Sequence, residues 1–259
     1  MSGFTASATE ALLEEGAAKQ AAAGKETSMM RKIMSPFMTA IGWSPLIIFL
    51  TVPSPRIAVA GAAGTALFSF CLSGIYYKIG GTKCWPKIVD ISLLSSFGLV
   101  TILAWTLPKE VAEQVVTFLD LFIYGGFIFT IALFWACFNT PFVEQFIIDF
   151  VSEEELKHPS IQYQVKVLSQ MFLIGFALMG GVGTAISALT VTGNITTTLK
   201  YVLMAIFEYS ILGIMLTIAN WLLPAYIMSE KGKKMIKEQF GDEWDAWNAR
   251  NPDHEWAQM

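Results

Sequence analysis

The sequence has little charge, and that scarcity limits what the protein can be. Only 15% of its 259 residues are charged and 54% are hydrophobic, whereas about a quarter of the residues in a soluble domain are charged. Its 17 lysines and arginines are scattered over several loops, and the formal net charge is -4. A nucleic-acid-binding protein would instead gather its cations into one basic surface. We therefore expect an integral membrane protein whose main partner is the lipid bilayer, and no nucleic-acid partner.

Cysteine is also scarce, and the common catalytic motifs are missing. The three cysteines, Cys71, Cys84 and Cys137, show no CxxC spacing, which argues against a disulfide framework and against a metal site. The sequence contains no P-loop, zinc pattern, haem ligand pair or Ser/His/Asp set. We predict no metal and no cofactor. Residues 1–35 lack the apolar core of a cleavable signal peptide, and they are expected to form a polar cytoplasmic tail.

Long apolar runs are what the sequence does have. Crossing a hydrocarbon layer of roughly 30 Å takes about 20 residues. Runs of about this length predict an all-α, polytopic membrane helix bundle in residues 36–228, with about six spans, at residues 37–53, 57–77, 88–107, 113–138, 165–190 and 201–228. The first span is the weakest, because Pro45 interrupts it and a second proline-containing stretch, residues 51–55, ends it.

The distribution of cations predicts the orientation of the bundle. Lysines and arginines close to the spans stay in the cytoplasm. With six spans, the two tails and two of the loops contain all the cations except three, which are Arg56, Lys109 and Lys200. This asymmetry predicts that both termini are cytoplasmic, in a bacterial inner membrane or a eukaryotic endomembrane.

A polar linker, residues 139–160, separates the fourth and fifth spans. Phe142, Phe146 and Phe150 recur at helical spacing, while Glu144, Gln145, Asp149 and Ser152 take the opposite face. This pattern predicts an amphipathic helix over about 140–151, lying in the membrane interface with its phenylalanines toward the lipid. A lid over an intramembrane pocket is the alternative. Ser152 and Glu155 have the spacing of a capping box, which predicts a second helical turn.

Two other segments carry patterns of their own. The last segment, residues 229–259, is expected to be an amphipathic cytoplasmic tail, with Phe240, Trp244 and Trp247 resting on the membrane or on a partner protein.

The glycine sets at 61–64 and 180–183 lie inside apolar spans. Small residues four apart let helices approach closely, so these glycines predict helix packing.

The stretch CWPKIVDISLLSSFGLV (84–100) and the linker with the start of the fifth span (139–181) resemble small bacterial multi-pass membrane proteins. Together with SPLIIFL (44–50), this layout is similar to the intracellular septation protein A family over about residues 36–228. Pro141, Phe142 and Pro159 carry much of the resemblance, while Val143 stands where the bacterial pattern tends to have threonine. The resemblance implies an envelope or housekeeping membrane protein with no catalytic residues to transfer.

A second resemblance involves KHPSIQY (157–163) and FGDEWDAW (240–247). Membrane methyltransferases and sterol reductases have a similar order, with an Arg-His-Pro segment and a late aromatic segment at a cofactor pocket. Here Lys157 replaces the arginine, and the separation between His158 and Phe240 is long for that arrangement. This resemblance makes His158 a candidate catalytic residue.

Three carboxyl groups within the spans are the other candidates, because burying an ionised side chain in hydrocarbon is costly. Asp120 and Glu208 each lie about seven residues inside the expected outer boundary, on the order of 10 Å deep at 1.5 Å per residue. They would share a proton or flank a cation if their helices touch. The alternative is that Asp120 reaches water and Glu208 pairs with Lys200 or is neutral. Asp90 is expected at the start of the third span, near the headgroups and Lys87.

These patterns leave two functions open. The first is a non-enzymatic scaffold or small carrier, with an apolar or ionic ligand between the third, fourth and sixth spans. The second is an intramembrane enzyme acting on a lipid or isoprenoid, either a methyltransferase-like or reductase-like enzyme or an acid-assisted, cyclase-like one.

Overall fold

The computed structural model describes residues 41, 44–45, 47–49, 52 and 54–252. All regular structure in these residues is helical. The helices are α1 (Pro55–Lys78), α2 (Ile88–Thr106), α3 (Lys109–Thr117), α4 (Leu119–Phe138), α5 (Glu144–Ile147), α6 (Glu153–Leu156), α7 (Pro159–Val191), α8 (Thr197–Thr217), α9 (Leu223–Met228) and α10 (Glu230–Arg250). A π-helical segment, Ile218–Leu222, joins α8 to α9.

Five helices in the described residues are long and apolar enough to cross a membrane. They are α1, α2, α4, α7 and the run from α8 through α9, Thr197–Met228. The protein is therefore an all-α, polytopic helix bundle and an integral membrane protein. Most of the expected first span, residues 37–53, lies outside the described residues, as does the whole of the polar segment 1–35.

The core of the bundle lies between α1, α2, α4 and α7. Phe97, Phe127 and Ile131 are fully buried there, and Phe127 stacks on Phe176 with ring centroids 4.7 Å apart. Small residues allow this close packing. A Cβ atom added to Gly180 would lie 2.9 Å from Tyr124 Cβ, and one added to Gly183 would lie 3.0 Å from Asp120 Cβ. The predicted helix packing is confirmed for Gly180 and Gly183, which let α7 approach α4, whereas Gly181 and Gly64 have no described neighbour within 4 Å of an added Cβ atom.

The fourth span differs from the prediction. A single helix was expected over 113–138, but the chain breaks at Phe118 into α3 and α4. Asp120 consequently lies in the first turn of α4, and the depth of about two helical turns expected for it is wrong. The reason is that α3 carries polar side chains, including Glu110 and Glu113, and belongs with the loop between spans.

The fifth span also begins earlier than expected. Pro159 is the first residue of α7, where its missing N–H has no intrahelical partner to lose. His158 caps this helix, since its Nδ1 accepts a hydrogen bond from the Ser160 amide at 3.1 Å. Before it, Ser152 and Glu155 form the predicted capping box around α6.

The bundle has two ends. The linker, the α1–α2 loop and α10 are at one end, which we call the linker end. The α2–α3 connection, the start of α4 and the α7–α8 turn are at the other end, which we call the Lys200 end after its buried lysine.

Candidate functional site

A cavity of about 600 Å³ opens at the linker end. We call it the linker cavity. It is lined by α1, the α1–α2 loop, the start of α2, the linker, α7 and the run from α8 into the π-helical segment, through Ser73, Tyr76, Thr82, Cys84, Lys87, Val89, Asp90, Phe142, Val143, Phe146, Asp149, Leu168, Phe172, Phe176, Leu212, Leu216, Ala219 and Asn220. Its volume is within the range of sites that hold one drug-sized ligand, about 300–1,000 Å³.

The linker forms one wall of this cavity, and it does so differently from the prediction. Instead of one amphipathic helix over 140–151, a single short helix, α5, lies between turns. Phe142 is buried against Phe172 and Phe176, whereas Phe150 is 65% exposed. The three phenylalanines therefore do not share one lipid-facing stripe.

Two polar side chains of the linker, Gln145 and Asp149, face the protein, whereas Ser152, Glu153 and Glu154 are exposed. Gln145 is 3% exposed, and its Oε1 accepts a hydrogen bond from the Ile88 amide at 2.8 Å. The Val143 amide donates to Ser169 Oγ at 3.0 Å. These bonds fix the linker to the start of α2 and to α7, because a buried backbone N–H needs a partner. Because α5 has only four residues, the spacing of its apolar residues could not show which of its faces is buried.

Asp149 is the centre of the hydrogen bonding at the linker end. Its carboxylate lies 2.8 Å from Lys87 Nζ, and only 6% of the Asp149 side chain is exposed. It also accepts hydrogen bonds from the Thr82 hydroxyl at 2.8 and 2.9 Å and from the Lys83 amide at 2.6 Å. Charge-assisted bonds of this kind are the strong ones. They hold the α1–α2 loop against the linker and give the cavity a polar rim.

The Lys87 ammonium also lies 5.2 Å from the centre of the Phe146 ring, in a cation–π arrangement. Lys83 Nζ donates to the Val151 carbonyl at 2.8 Å. Sequence analysis missed Asp149, Thr82 and Lys87 as site residues. The only signal for them was the group of lysines in the α1–α2 loop, which face a linker rich in acids.

Two ionisable side chains at the linker end, Glu144 and Cys84, lie outside the membrane-spanning helices and have raised pKa values. Burial raises the pKa of the Glu144 carboxyl above its ordinary value. Burial also raises the pKa of the Cys84 thiol, and Lys87 opposes that effect. Cys84 is therefore expected to be protonated, and so a poor nucleophile, at neutral pH.

Asp90 lines the cavity from the first turn of α2, next to the polar rim. The residue is only 8% exposed, and it lies at the start of this span beside Lys87, as the sequence predicted. Its Oδ2 atom is buried and accepts no hydrogen bond from the part of the chain that the structure describes. The Ser73 hydroxyl and the Lys87 backbone lie within hydrogen-bonding reach of the same carboxyl group.

At the Lys200 end, the structure brings together two of the predicted acids. Lys200 is 5% exposed. Its Nζ donates to the Thr117 carbonyl at 2.5 Å and lies 3.9 Å from the Asp120 carboxylate. Glu208 is two turns further along α8, within hydrogen-bonding reach of Tyr124. We call Asp120, Tyr124, Lys200 and Glu208 the Lys200 cluster.

His158, the remaining candidate, is almost fully buried at the linker end. Its ring makes edge contacts with Trp244, 5.1 Å between centroids, and with Trp247, 4.5 Å. The Trp247 indole N–H donates to the Glu154 carbonyl at 2.9 Å. The aromatic residues of α10 thus pack against their own chain. A protein partner for the tail stays a prediction.

Comparison with protein-family models, curated proteins and solved structures finds no match to this chain. The resemblances to the septation protein A family and to membrane methyltransferases therefore stay predictions. Among the described residues, no group of three or more His, Cys, Asp and Glu side chains could hold a metal ion.

Proposed function

We propose that the protein is a small carrier or binding protein for a lipid or isoprenoid amphiphile, which it holds in the linker cavity. One observation carries the proposal: a cavity of about 600 Å³ whose walls are mostly aliphatic and aromatic and whose rim is polar. Apolar walls with a few placed polar groups are characteristic of small-molecule sites. Such a site suits a molecule with one apolar chain and one polar head.

The geometry of the surrounding helices supports entry from the membrane. The α8 to α9 run is the least buried of the five candidate spans, and Trp221 and Leu222 of the π-helical segment are highly exposed. The same run supplies Leu212, Leu216, Ala219 and Asn220 to the cavity wall. A weakly packed helix that forms a cavity wall gives a ligand a short path from the surrounding lipid. The ligand position expected between the third, fourth and sixth spans differs from this cavity, which α4 does not line.

The proposed orientation puts both termini in the cytoplasm, because all but three of the lysines and arginines are then on that side. The linker cavity would open at the cytoplasmic surface. Tags on the two termini, digested by protease from one side of sealed vesicles, test this. Digestion of one tag and protection of the other would contradict the proposed orientation.

The experiment for the cavity compares two alanine-to-phenylalanine variants by native mass spectrometry of the purified protein. Ala219→Phe fills the cavity, whereas Ala132→Phe adds the same side chain at an exposed position of α4. We expect the wild type and Ala132→Phe to retain one amphiphile per chain and Ala219→Phe to lose it. Equal retention by both variants would contradict the proposal.

A second candidate is the intramembrane enzyme acting on the same class of molecule. The specific observation in its favour is the contact of His158 with Trp244 and Trp247, which joins the two segments of the methyltransferase-like pattern. His158 does not line the linker cavity, so we favour the carrier. His158→Phe separates the two functions: an enzyme would lose a lipid-soluble product, whereas a carrier would bind and release its amphiphile as before.

A further inference from the structure

The charges around the linker cavity carry information about the head group of its ligand. The described lining residues include one cation, Lys87, and two acids, Asp90 and Asp149. Lys87 and Asp149 form an ion pair at 2.8 Å, and Asp149 is further satisfied by Thr82 and the Lys83 amide. Their charges compensate each other. The acid that no cation pairs with is Asp90.

Asp90 is built into the protein in the way that a recognition group is. It is more than nine-tenths buried, it lines the cavity, and its Oδ2 atom accepts no hydrogen bond from any described residue. A buried acceptor without a donor is destabilising, and more so when it is charged. A ligand that supplies the missing donor accounts for such a group, and an ionisable residue inside a membrane span marks a candidate binding site.

From this geometry we infer that the linker cavity binds a single-chain amphiphile with a protonated amine as its head group, and that Asp90 is the residue that binds the amine. The inference rests on the proposed function. An ammonium group supplies a hydrogen-bond donor for the Oδ2 atom of Asp90 and a positive charge that no other acid already pairs with. A phosphate or carboxylate head group would meet two acids and a lysine already paired, so it is disfavoured. An alcohol supplies the donor without the charge.

The test measures binding of three probes with one alkyl chain and different head groups: hexadecylamine, hexadecanol and hexadecyl phosphate. The full-length protein is purified in detergent, and affinities are measured by native mass spectrometry. The wild type is compared with Asp90→Asn, which keeps the size of the side chain, and with Asp242→Asn, which removes the same charge from an exposed position of α10. Thermal unfolding of each variant establishes that it is folded.

We expect the wild type to bind hexadecylamine more tightly than the alcohol and to bind the phosphate least. Asp90→Asn is expected to weaken amine binding roughly tenfold to a hundredfold, the value of a charge-assisted hydrogen bond. It should leave the alcohol nearly unchanged, and Asp242→Asn should change neither. Should Asp90→Asn fail to fold, Asp90→Glu serves instead, with weaker amine binding expected because the carboxyl group moves.

The outcomes separate the two proposals. If all three probes bind equally and Asp90→Asn has no effect, while Ala219→Phe abolishes binding, the head-group inference is overturned and the proposed function stands. If the phosphate binds best, the head-group inference is likewise overturned. If no probe binds more tightly to the wild type than to Ala219→Phe, the proposed function is overturned, and this inference with it.

Discussion

The two ends of the bundle each pair one lysine with one aspartate, but the two pairs differ in how completely their charges are satisfied. At the linker end, Asp149 accepts bonds from Lys87, from the Thr82 hydroxyl and from a backbone amide, all within 3 Å. At the Lys200 end, the Lys200–Asp120 pair is 3.9 Å apart, and a backbone carbonyl is the nearer partner of the ammonium.

This difference matches what each pair joins. The Asp149 bonds connect two segments that are not part of any span, the α1–α2 loop and the linker, and so they shape the cavity. The Lys200 pair connects the start of α8 to the break between α3 and α4. A buried pair is costly to break from one side, because the remaining charge loses its partner. The linker end should therefore respond more strongly to removal of its acid than the Lys200 end does to removal of its lysine.

The largest effect is expected for Asp149→Ala. The substitution leaves the Lys83 amide and the Lys87 ammonium without the Asp149 acceptor, and leaves the Thr82 hydroxyl with only the Cys84 carbonyl at 3.2 Å. The free energy of unfolding should therefore fall by about 3–5 kcal/mol. Unfolding in mixed micelles measures it. The control is Glu154→Ala, which removes an ion pair whose two side chains are each 58% exposed, and whose loss should cost less than about 1 kcal/mol. Equal effects of the two substitutions would contradict the role given to Asp149.

Lys200→Met should have the second largest effect. It leaves the Asp120 carboxylate in apolar surroundings without its cation, with an expected loss of about 1–3 kcal/mol in the free energy of unfolding. The double variant Lys200→Met/Asp120→Asn removes the stranded charge and should recover part of that loss. A double variant whose loss of stability equals the sum of the losses in Lys200→Met and Asp120→Asn would show that the two residues do not act as a pair.

Ser152→Ala removes the capping box of α6 at the linker end. The expected loss is about 1 kcal/mol, because the Glu155 amide loses its acceptor. Hydrogen exchange should show the change in residues 152–158 and not at the Lys200 end. A change spread over the whole bundle would mean that α6 is coupled to the spans more tightly than its contacts indicate.

The smallest effect concerns pH, and it arises at the linker end through Glu144. Burial raises the pKa of this carboxyl in the folded state, so the folded state holds its proton more tightly than the unfolded state does. Its contribution to stability is present below the unfolded pKa and is lost as the pH rises through the folded pKa. Compared with Glu144→Gln, the wild type should lose slightly more stability between about pH 4, close to the ordinary glutamate pKa, and neutral pH. If the free energy of unfolding depended on pH in the same way in the wild type and in Glu144→Gln, the role given to Glu144 would be contradicted.

Features that depend on local sequence were predictable. The apolar runs predicted an all-α membrane bundle and located α1 and α2 closely. The capping box of Ser152 and Glu155 and the close packing of Gly180 and Gly183 followed from spacing alone. Each of these features is encoded within one continuous stretch of the chain, so it leaves a direct pattern in the sequence.

Features that depend on contacts between distant segments were not predictable. The helical period assigned Asp149 and Gln145 to a solvent-facing side, but their partners, Lys87 and the Ile88 amide, are about 60 residues away along the chain. The cavity follows from those bonds and was missed with them. Asp120 was placed too deep because hydropathy does not reveal where a helix breaks, and the break at Phe118 moves it to a helix start.

The most direct test of ligand binding in the linker cavity is photo-labelling with a single-chain amphiphile that carries a photo-reactive group in the middle of its chain. Labelled peptides are expected to map to the cavity wall, at residues 168–176 of α7 and 212–220 of the α8 to α9 run. Ala219→Phe is expected to remove these labels. Labels spread over exposed membrane-facing positions such as Phe129 and Ile102, and unchanged by Ala219→Phe, would contradict ligand binding in the linker cavity.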